Sequence, residues 1–134
     1  ATVSAQITGR VKDVMIEARL AFEIAKTMIF PAAVEYQHRL ASTSIALKSL
    51  GKKHCTTVLD ELSGLVADLQ GEIETLRKAI AHEAKGGVAD HARHCRDAIS
   101  PAMLAVRQVA DQLECIVADD LWPLPTYQEM LFIK

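Results

Sequence analysis

Hydrophobic residues between Val58 and Ala84 recur at alternating intervals of three and four positions, which is the spacing of one stripe along a helix that packs against other helices. Charged and small residues fill most of the positions between them. A helix of this kind is apolar along one side only and cannot bury that side by itself. The rest of the chain is therefore expected to supply partner helices. The members of this heptad stripe are Leu59, Leu62, Val66, Leu69, Ile73, Leu76 and Ile80.

Helical spacing also extends before and after the heptad stripe. We predict helix one over residues 1–50, helix two over 54–85 and helix three over 88–120. The apolar positions of helix three are Ala92, Cys95, Ile99, Ala102, Val106, Val109, Leu113 and Ile116. Those of helix one are Val11, Val14, Met15, Ala18, Phe22, Ala25, Met28, Ile29, Ala32, Tyr36, Leu40, Ile45 and Leu47.

Helix one has a second apolar set, which widens its hydrophobic surface. A helix that is apolar over much of its circumference is usually covered on more than one side. We therefore expect neighbours on more than one side of helix one. The second set consists of Ile16, Leu20, Ile24, Phe30 and Val34.

Glycine and proline mark the boundaries of these helices. Gly51 can adopt the left-handed conformation that ends helix one, and Thr56 or Thr57 can cap helix two. The run Lys85-Gly86-Gly87 ends helix two, so that helices two and three form an antiparallel hairpin. Pro31 lies inside helix one and favours a kink there, because no turn-forming residues surround it. The alternative is that two separate helices meet at this proline.

The pattern as a whole predicts an all-α fold. It is an elongated antiparallel bundle of three long helices, with helix one kinked at Pro31 and helices two and three forming a coiled-coil-like hairpin. Gly64 and Gly71 lie within helix two, and each costs up to about 1 kcal/mol relative to alanine. We expect these glycines to permit the close approach of a neighbour.

The last stretch, residues 121–134, breaks the helical pattern and reads LWPLPTYQEMLFIK. Its two prolines favour an extended path. The segment is too hydrophobic for a disordered tail, so we expect it to dock, either on its own bundle or on another domain. The residues expected to anchor it are Trp122, Tyr127, Leu131 and Phe132.

Composition narrows the class of protein. The net charge is −2, which gives no electrostatic case for binding nucleic acid or an anionic membrane surface. No apolar run approaches the ~20 residues that cross a bilayer. The cysteines are Cys55, Cys95 and Cys115, an odd number without a C-x-x-C motif, which favours a reducing, cytoplasmic location. Because the chain begins without Met and almost at once with helical spacing, we expect it to be a piece of a longer protein.

The clearest candidate for chemistry is the pair His91 and His94, which are three residues apart and share one face of helix three. They could chelate a metal, but no second ligand pair with zinc spacing accompanies them, and surface histidines near a turn are the simpler interpretation. The carboxylates lie mainly at solvent positions, and no phosphate-binding or nucleophile motif occurs. The residues alone predict a helical scaffold with a docking tail, with no catalytic, cofactor-binding or metal site.

Two ends of the chain resemble a known family, the type III glutamine synthetases. The segment 17–37, reading EARLAFEIAKTMIFPAAVEYQ, is similar to the helix that follows the catalytic domain of that family. The proline-rich ending is similar to the family's extreme C-terminus. The residues that carry this second likeness are Pro101, Ala102, Met103, Arg107, Asp111, Leu113, Glu114, residues 121–127, Leu131 and Phe132.

The resemblance implies that the chain is the C-terminal helical domain of an enzyme that joins ammonia to glutamate with ATP and Mg²⁺ and assembles as stacked hexameric rings. The family's catalytic and nucleotide-binding residues lie upstream of this region, so none is carried over and the 134 residues alone are expected to be inactive. The implied partners are the rest of the glutamine synthetase chain and neighbouring subunits. From the residues alone, a free-standing helical protein–protein interaction module is the alternative.

Overall fold

Three helices form over the predicted stretches in the computed structural model, which describes residues 2–82 and 86–125. Helix one consists of Thr2–Ile24, a π-helical turn at Ala25–Ile29 and Phe30–Ser49. Helix two is Thr57–Ala81. Helix three consists of Val88–His94, a second π-helical turn at Cys95–Ile99 and Ser100–Glu114. Over the described ranges there is no strand, and the predicted all-α bundle is confirmed.

Three helix boundaries, both ends of helix two and the end of helix three, differ from the predicted ones by several residues. Helix two begins at Thr57 rather than at 54, and its C-cap residue His82 is already extended. Helix three ends at Glu114 rather than at 120. Beyond it, the amide of Val117 donates to the Leu113 carbonyl in a turn that keeps Val117 buried. The turn redirects the chain while its apolar residues stay in the core, which helical spacing alone does not reveal.

Gly51 ends helix one as predicted, in the left-handed conformation with φ of 69°. The Gly51 amide donates to the Lys48 carbonyl, and the Lys52 amide donates to the Leu47 carbonyl. This pair of bonds is the Schellman motif, which satisfies carbonyls that a helix end leaves without partners. A residue with a Cβ is strained at this φ, so glycine defines the position of the turn.

Helix two runs antiparallel to both of the other helices, and helices one and three run parallel to each other. Near one end, the Gln37 side-chain amide donates to the Ser63 hydroxyl of helix two at 2.8 Å. Towards the other end of helix two, Arg77 and Phe22 line the same surface cleft. The order is therefore up-down-up. Helix three lies beside the N-terminal half of helix one, where residues 7–29 of helix one and 92–111 of helix three line shared clefts.

The heptad stripe forms the centre of the core. Leu62, Leu69 and Leu76 are fully buried, and Ile99 and Leu113 of helix three are fully buried too. No polar or charged side chain is buried within the described ranges, so the core is held by apolar packing. None of the helices traced over these ranges has the length and hydropathy needed to span a membrane.

Each internal proline follows a π-helical turn. The Phe30 amide donates to the Ala25 carbonyl, and the Ser100 amide donates to the Cys95 carbonyl, five residues back in both cases. A proline ring in a regular α-helix clashes with the carbonyl four residues before it. The wider turns lie immediately before Pro31 and Pro101, where this clash must be relieved. Helix one therefore continues through Pro31, and the alternative of two separate helices is wrong.

The close approach expected at the two glycines of helix two does not occur within the described bundle. Gly64 and Gly71 are exposed, and a Cβ added to either would meet no atom within 4 Å. Gly71 lines an open cleft with Phe22 and Phe30 of helix one, but no atom comes close enough to either glycine for close packing within the described bundle to require it. Spacing along helix two could not show this, because glycines seven residues apart share a face whichever face it is.

Candidate docking surfaces

The two histidines singled out from the sequence lie near the start of helix three. His91 is exposed, whereas His94 is half-buried with its Nε2 2.8 Å from the Ala79 carbonyl oxygen of helix two. The carbonyl accepts this bond, so Nε2 carries the proton and is occupied. The His82 ring lies 4.8 Å from the His94 ring, between centroids. Across residues 2–82 and 86–125, no three His, Cys, Asp or Glu residues are grouped so as to hold a metal ion.

The carboxylates that the structure describes as ion-paired lie on the surface. Glu74 pairs with Arg77, one of the two partners considered from the sequence, and the guanidinium hydrogen bond lowers the pKa of the Glu74 carboxyl. Cys55, Cys95 and Cys115 are free, and only Cys95 is buried, which raises the pKa of its thiol. The ion-paired carboxylates therefore belong to the surface, and Cys95 belongs to the core.

The start of the tail docks on the bundle. Leu121, Trp122 and Leu124 are half-buried and pack against the core, and the Trp122 amide donates to the Ala118 carbonyl at 3.1 Å. The anchoring role expected for Trp122 stays a prediction. The other three expected anchors, Tyr127, Leu131 and Phe132, lie outside the described residues.

Replacing Trp122 with Ala should lower the free energy of unfolding by about 2 kcal/mol. A fully buried tryptophan costs about 3–5 kcal/mol on truncation, and the half-buried ring of Trp122 should cost less. The measurement is urea denaturation followed by far-ultraviolet circular dichroism, because the substitution removes the only tryptophan. Pro125→Ala, at an exposed position of the same segment, is the control and should change little. Equal stabilities for the two variants would show that the Trp122 ring does not anchor the segment.

An ion pair fixes where the chain turns after helix three. Arg39 Nη2 lies 3.0 Å from Asp120 Oδ2, which joins helix one to a residue 81 positions later. The guanidinium hydrogen bond holds the pKa of the Asp120 carboxyl below its usual range. Both side chains are exposed, so the pair contributes little to stability. What the ion pair shows is position, because it places Asp120 beside the C-terminal half of helix one.

An apolar groove of about 570 Å³ runs between residues 17–29 of helix one and 100–111 of helix three, with Leu124 as a further lining residue. Leu20 and Leu104 lie along it with 58% and 54% of their surface exposed. Glu17, Arg107 and Asp111 contribute its charged groups. We call this surface the one–three groove. The sequence pattern does not predict this groove, although Leu20 and Ile24 of the second apolar set line it.

Helix one also exposes apolar side chains that point away from the bundle. Ile16 is 64% exposed and Ile45 is 67% exposed. Each lies two residues from a residue on the bundle side, fully buried Ala18 and half-buried Leu47, and positions two apart on a helix point in nearly opposite directions. The neighbours expected on a second side of helix one are therefore not supplied by the described part of the chain at these positions.

The chain is similar in sequence to known glutamine synthetases. The sequence model of the glutamine synthetase C-terminal domain matches residues 4–48, which is nearly all of helix one. The chain is 26% identical to a glutamine synthetase of Bacteroides fragilis (strain YCH46) over 130 residues, covering 90% of this chain and 18% of the relative. It is 28% identical to a type-3 glutamine synthetase of Dictyostelium discoideum over 134 residues, covering 92% of this chain and 18% of the relative.

These matches agree with the resemblance seen at the two ends of the chain. The chain spans about a fifth of the length of the curated relatives that it matches, 18% in each case. Its exposed apolar positions Ile16 and Ile45 both lie within the matched residues 4–48. The chain is helical and is similar to the C-terminal part of glutamine synthetases, a type-3 member among them.

Proposed function

We propose that this domain packs against the rest of a glutamine synthetase, within its own chain or on neighbouring subunits, and serves assembly rather than chemistry. The observation that carries the proposal is the extent of the similarity. It covers about nine-tenths of this chain but only 18% of each relative, and the family match falls on helix one. The rest of the enzyme, which the proposal credits with the ATP-dependent joining of ammonia to glutamate, is several times larger than this domain.

The exposed apolar residues of helix one support this proposal. Ile16 and Ile45 leave most of their surface in contact with water. Covering apolar surface stabilises an interface by roughly 25 cal/mol per Å² removed from water. The occupant that the proposal assigns to these positions is the remaining polypeptide of the enzyme, because it is the partner that the family relationship supplies.

The groups that the resemblance implies for the whole enzyme do not fit the residues of this domain. Mg²⁺ prefers oxygen ligands in octahedral geometry, usually carboxylates and phosphates. The carboxylates in the described ranges whose partners are known pair with arginines on the surface, and no group of three potential ligands occurs there. The proposal therefore assigns no residue of this chain to ATP, to Mg²⁺ or to the reaction.

A comparison of one double variant in two contexts tests the assembly role. Ile16→Asp with Ile45→Asp should change the unfolding free energy of the isolated chain by no more than about 0.5 kcal/mol per site, because both positions are exposed there. In the natural full-length protein the same pair should cost about 2 kcal/mol or more, since it would bury two carboxylates in an apolar interface. Thermal denaturation in each context, with light scattering for the full-length protein, provides the measurement.

Thr43→Asp is the matched control. Thr43 is exposed on the same helix and lies two residues from Ile45, so the control adds the same kind of charge on a different side of that helix. It should have a small effect in both contexts. Small and equal effects of the double variant in both contexts would contradict the proposal that this surface of helix one packs against the enzyme.

A further inference from the structure

The two helices that border the one–three groove run parallel, and Ser100 shows which of their residues lie level with each other. Ser100 is the first helix-three residue of the groove, where the helix-one lining begins with Glu17. It is also the last helix-three residue of the neighbouring cleft, where the helix-one lining ends with Val14. Leu104 lies four residues further along helix three. At a rise of ~1.5 Å per residue, it is level with Leu20 to within about 3 Å.

Two opposite charges lie on either side of this leucine pair. Glu17 precedes Leu20 by three residues on helix one. Arg107 follows Leu104 by three residues on helix three. Positions three apart share one face of a helix, so each charge lies on the same surface as its leucine, about 4.5 Å away along the axis. Both charged side chains are exposed and line the groove, and no ion pair among the described residues includes either of them.

The resulting pattern is complementary to itself. Because the two charges are displaced by equal amounts in opposite directions, the midpoint between Glu17 and Arg107 nearly coincides with the midpoint of the leucine pair. A two-fold axis through this point, in the plane of the contact, places the Glu17 carboxylate of each copy beside the Arg107 guanidinium of the other. The same rotation gathers four leucines around the axis. Asp111 lies one turn beyond Arg107, at the edge of such a contact, where water solvates it.

We propose that the one–three groove is a contact between two copies of this chain, related by a two-fold axis, with Leu20 of each copy packed beside Leu104 of the other. A second copy is the occupant because a surface with one charge of each sign, on opposite sides of an apolar centre, meets its own copy with both of these charges paired. The two leucines, each more than half exposed, supply apolar area that the contact removes from water. This inference goes beyond the proposed packing of Ile16 and Ile45 and does not depend on it.

Cross-linking between co-expressed variants of the natural full-length protein tests this contact. One chain carries Leu20→Cys and the other carries Leu104→Cys, so a cross-link between positions 20 and 104 must join two chains. After reaction with a short bis-maleimide, the cross-linked peptides are quantified by mass spectrometry. Their yield should exceed that of a control pair, Thr43→Cys with Leu104→Cys, at least about tenfold, because residues in contact have a high effective concentration. Thr43 is exposed and does not line the groove.

Charge reversal separates this two-fold contact from a chance encounter of exposed leucines. Adding Glu17→Arg to the Leu20→Cys chain sets two arginines against each other and should lower the yield roughly threefold, the size expected for an exposed charge pair. Adding Arg107→Glu to the other chain as well should restore the yield, because each arginine then faces a glutamate. Circular dichroism should show the same helix content in every variant, since both positions are exposed.

Three results would overturn the proposal. The first is a yield between positions 20 and 104 no higher than that of the Thr43→Cys control. The second is cross-linking of position 104 only to upstream residues of the enzyme, which would mean that the rest of the enzyme covers the groove. The third is a high yield that does not respond to Glu17→Arg or is not restored by Arg107→Glu, which would contradict the two-fold arrangement.

Discussion

Replacing Leu69 with Ala should lower the free energy of unfolding by about 3–5 kcal/mol, the upper part of the range for buried leucines. Leu69 is the middle member of the heptad stripe and is fully buried. Truncation removes three carbon atoms from a site that faces other helices, and rigid helix backbones can close the resulting cavity only in part. A loss of this size is a large share of the stability of a domain of this length.

Leu50→Ala is the matched control for this variant. It removes the same atoms from a leucine that is 72% exposed, and it should change stability by no more than about 0.5 kcal/mol. Both variants are compared with the parent chain by urea denaturation. Similar losses for Leu69→Ala and Leu50→Ala would mean that the heptad stripe is not the core of the bundle.

The stripe itself could be predicted from the sequence, because burial in a helical bundle follows a simple period. Leu62, Val66, Leu69 and Leu76 are buried in the structure, and Leu59 at the start of the stripe is half-buried. A period of three and four residues fixes which residues share one side of a helix. The end of helix one could be predicted for a different reason, since the left-handed conformation at residue 51 favours glycine.

Whether the other faces of the helices are covered or exposed could not be predicted in the same way. The period shows that Gly64 and Gly71 share a side of helix two, but not whether a neighbour lies there. The second apolar set of helix one contains both covered and exposed residues for the same reason. Ile24 is half-buried beside helix three, whereas Ile16 is 64% exposed. Only the relative positions of three helices decide between these outcomes.

The π-helical turns were missed although the sequence carries a signal for them. A small buried residue, an isoleucine four residues later and a proline two residues after that occur in AKTMIFP, residues 25–31, and again in CRDAISP, residues 95–101. A proline alone predicts a bend and does not specify how the helix accommodates it. The repeated spacing, with Ala25, Ile29, Cys95 and Ile99 all buried, is the feature that distinguishes these two sites.

The second large effect concerns activity. The purified 134-residue chain should show no ATP-dependent formation of glutamine from glutamate and ammonia, whereas the natural full-length protein should show turnover. The reason is that the described part of the chain is a bundle with an apolar core, whose one–three groove is lined mainly by aliphatic side chains. Stabilising a phosphoryl-transfer reaction requires metal ions and positioned charged groups around the phosphates.

The most direct measurement of the central claim is therefore a paired assay of glutamine formation, at equal molar concentrations of the isolated chain and the natural full-length protein. The account predicts turnover only for the full-length protein, with the isolated chain indistinguishable from buffer and still helical by circular dichroism. Turnover by the isolated chain that is reduced in its destabilised Leu69→Ala variant would contradict the claim that this domain supports the enzyme without performing its chemistry.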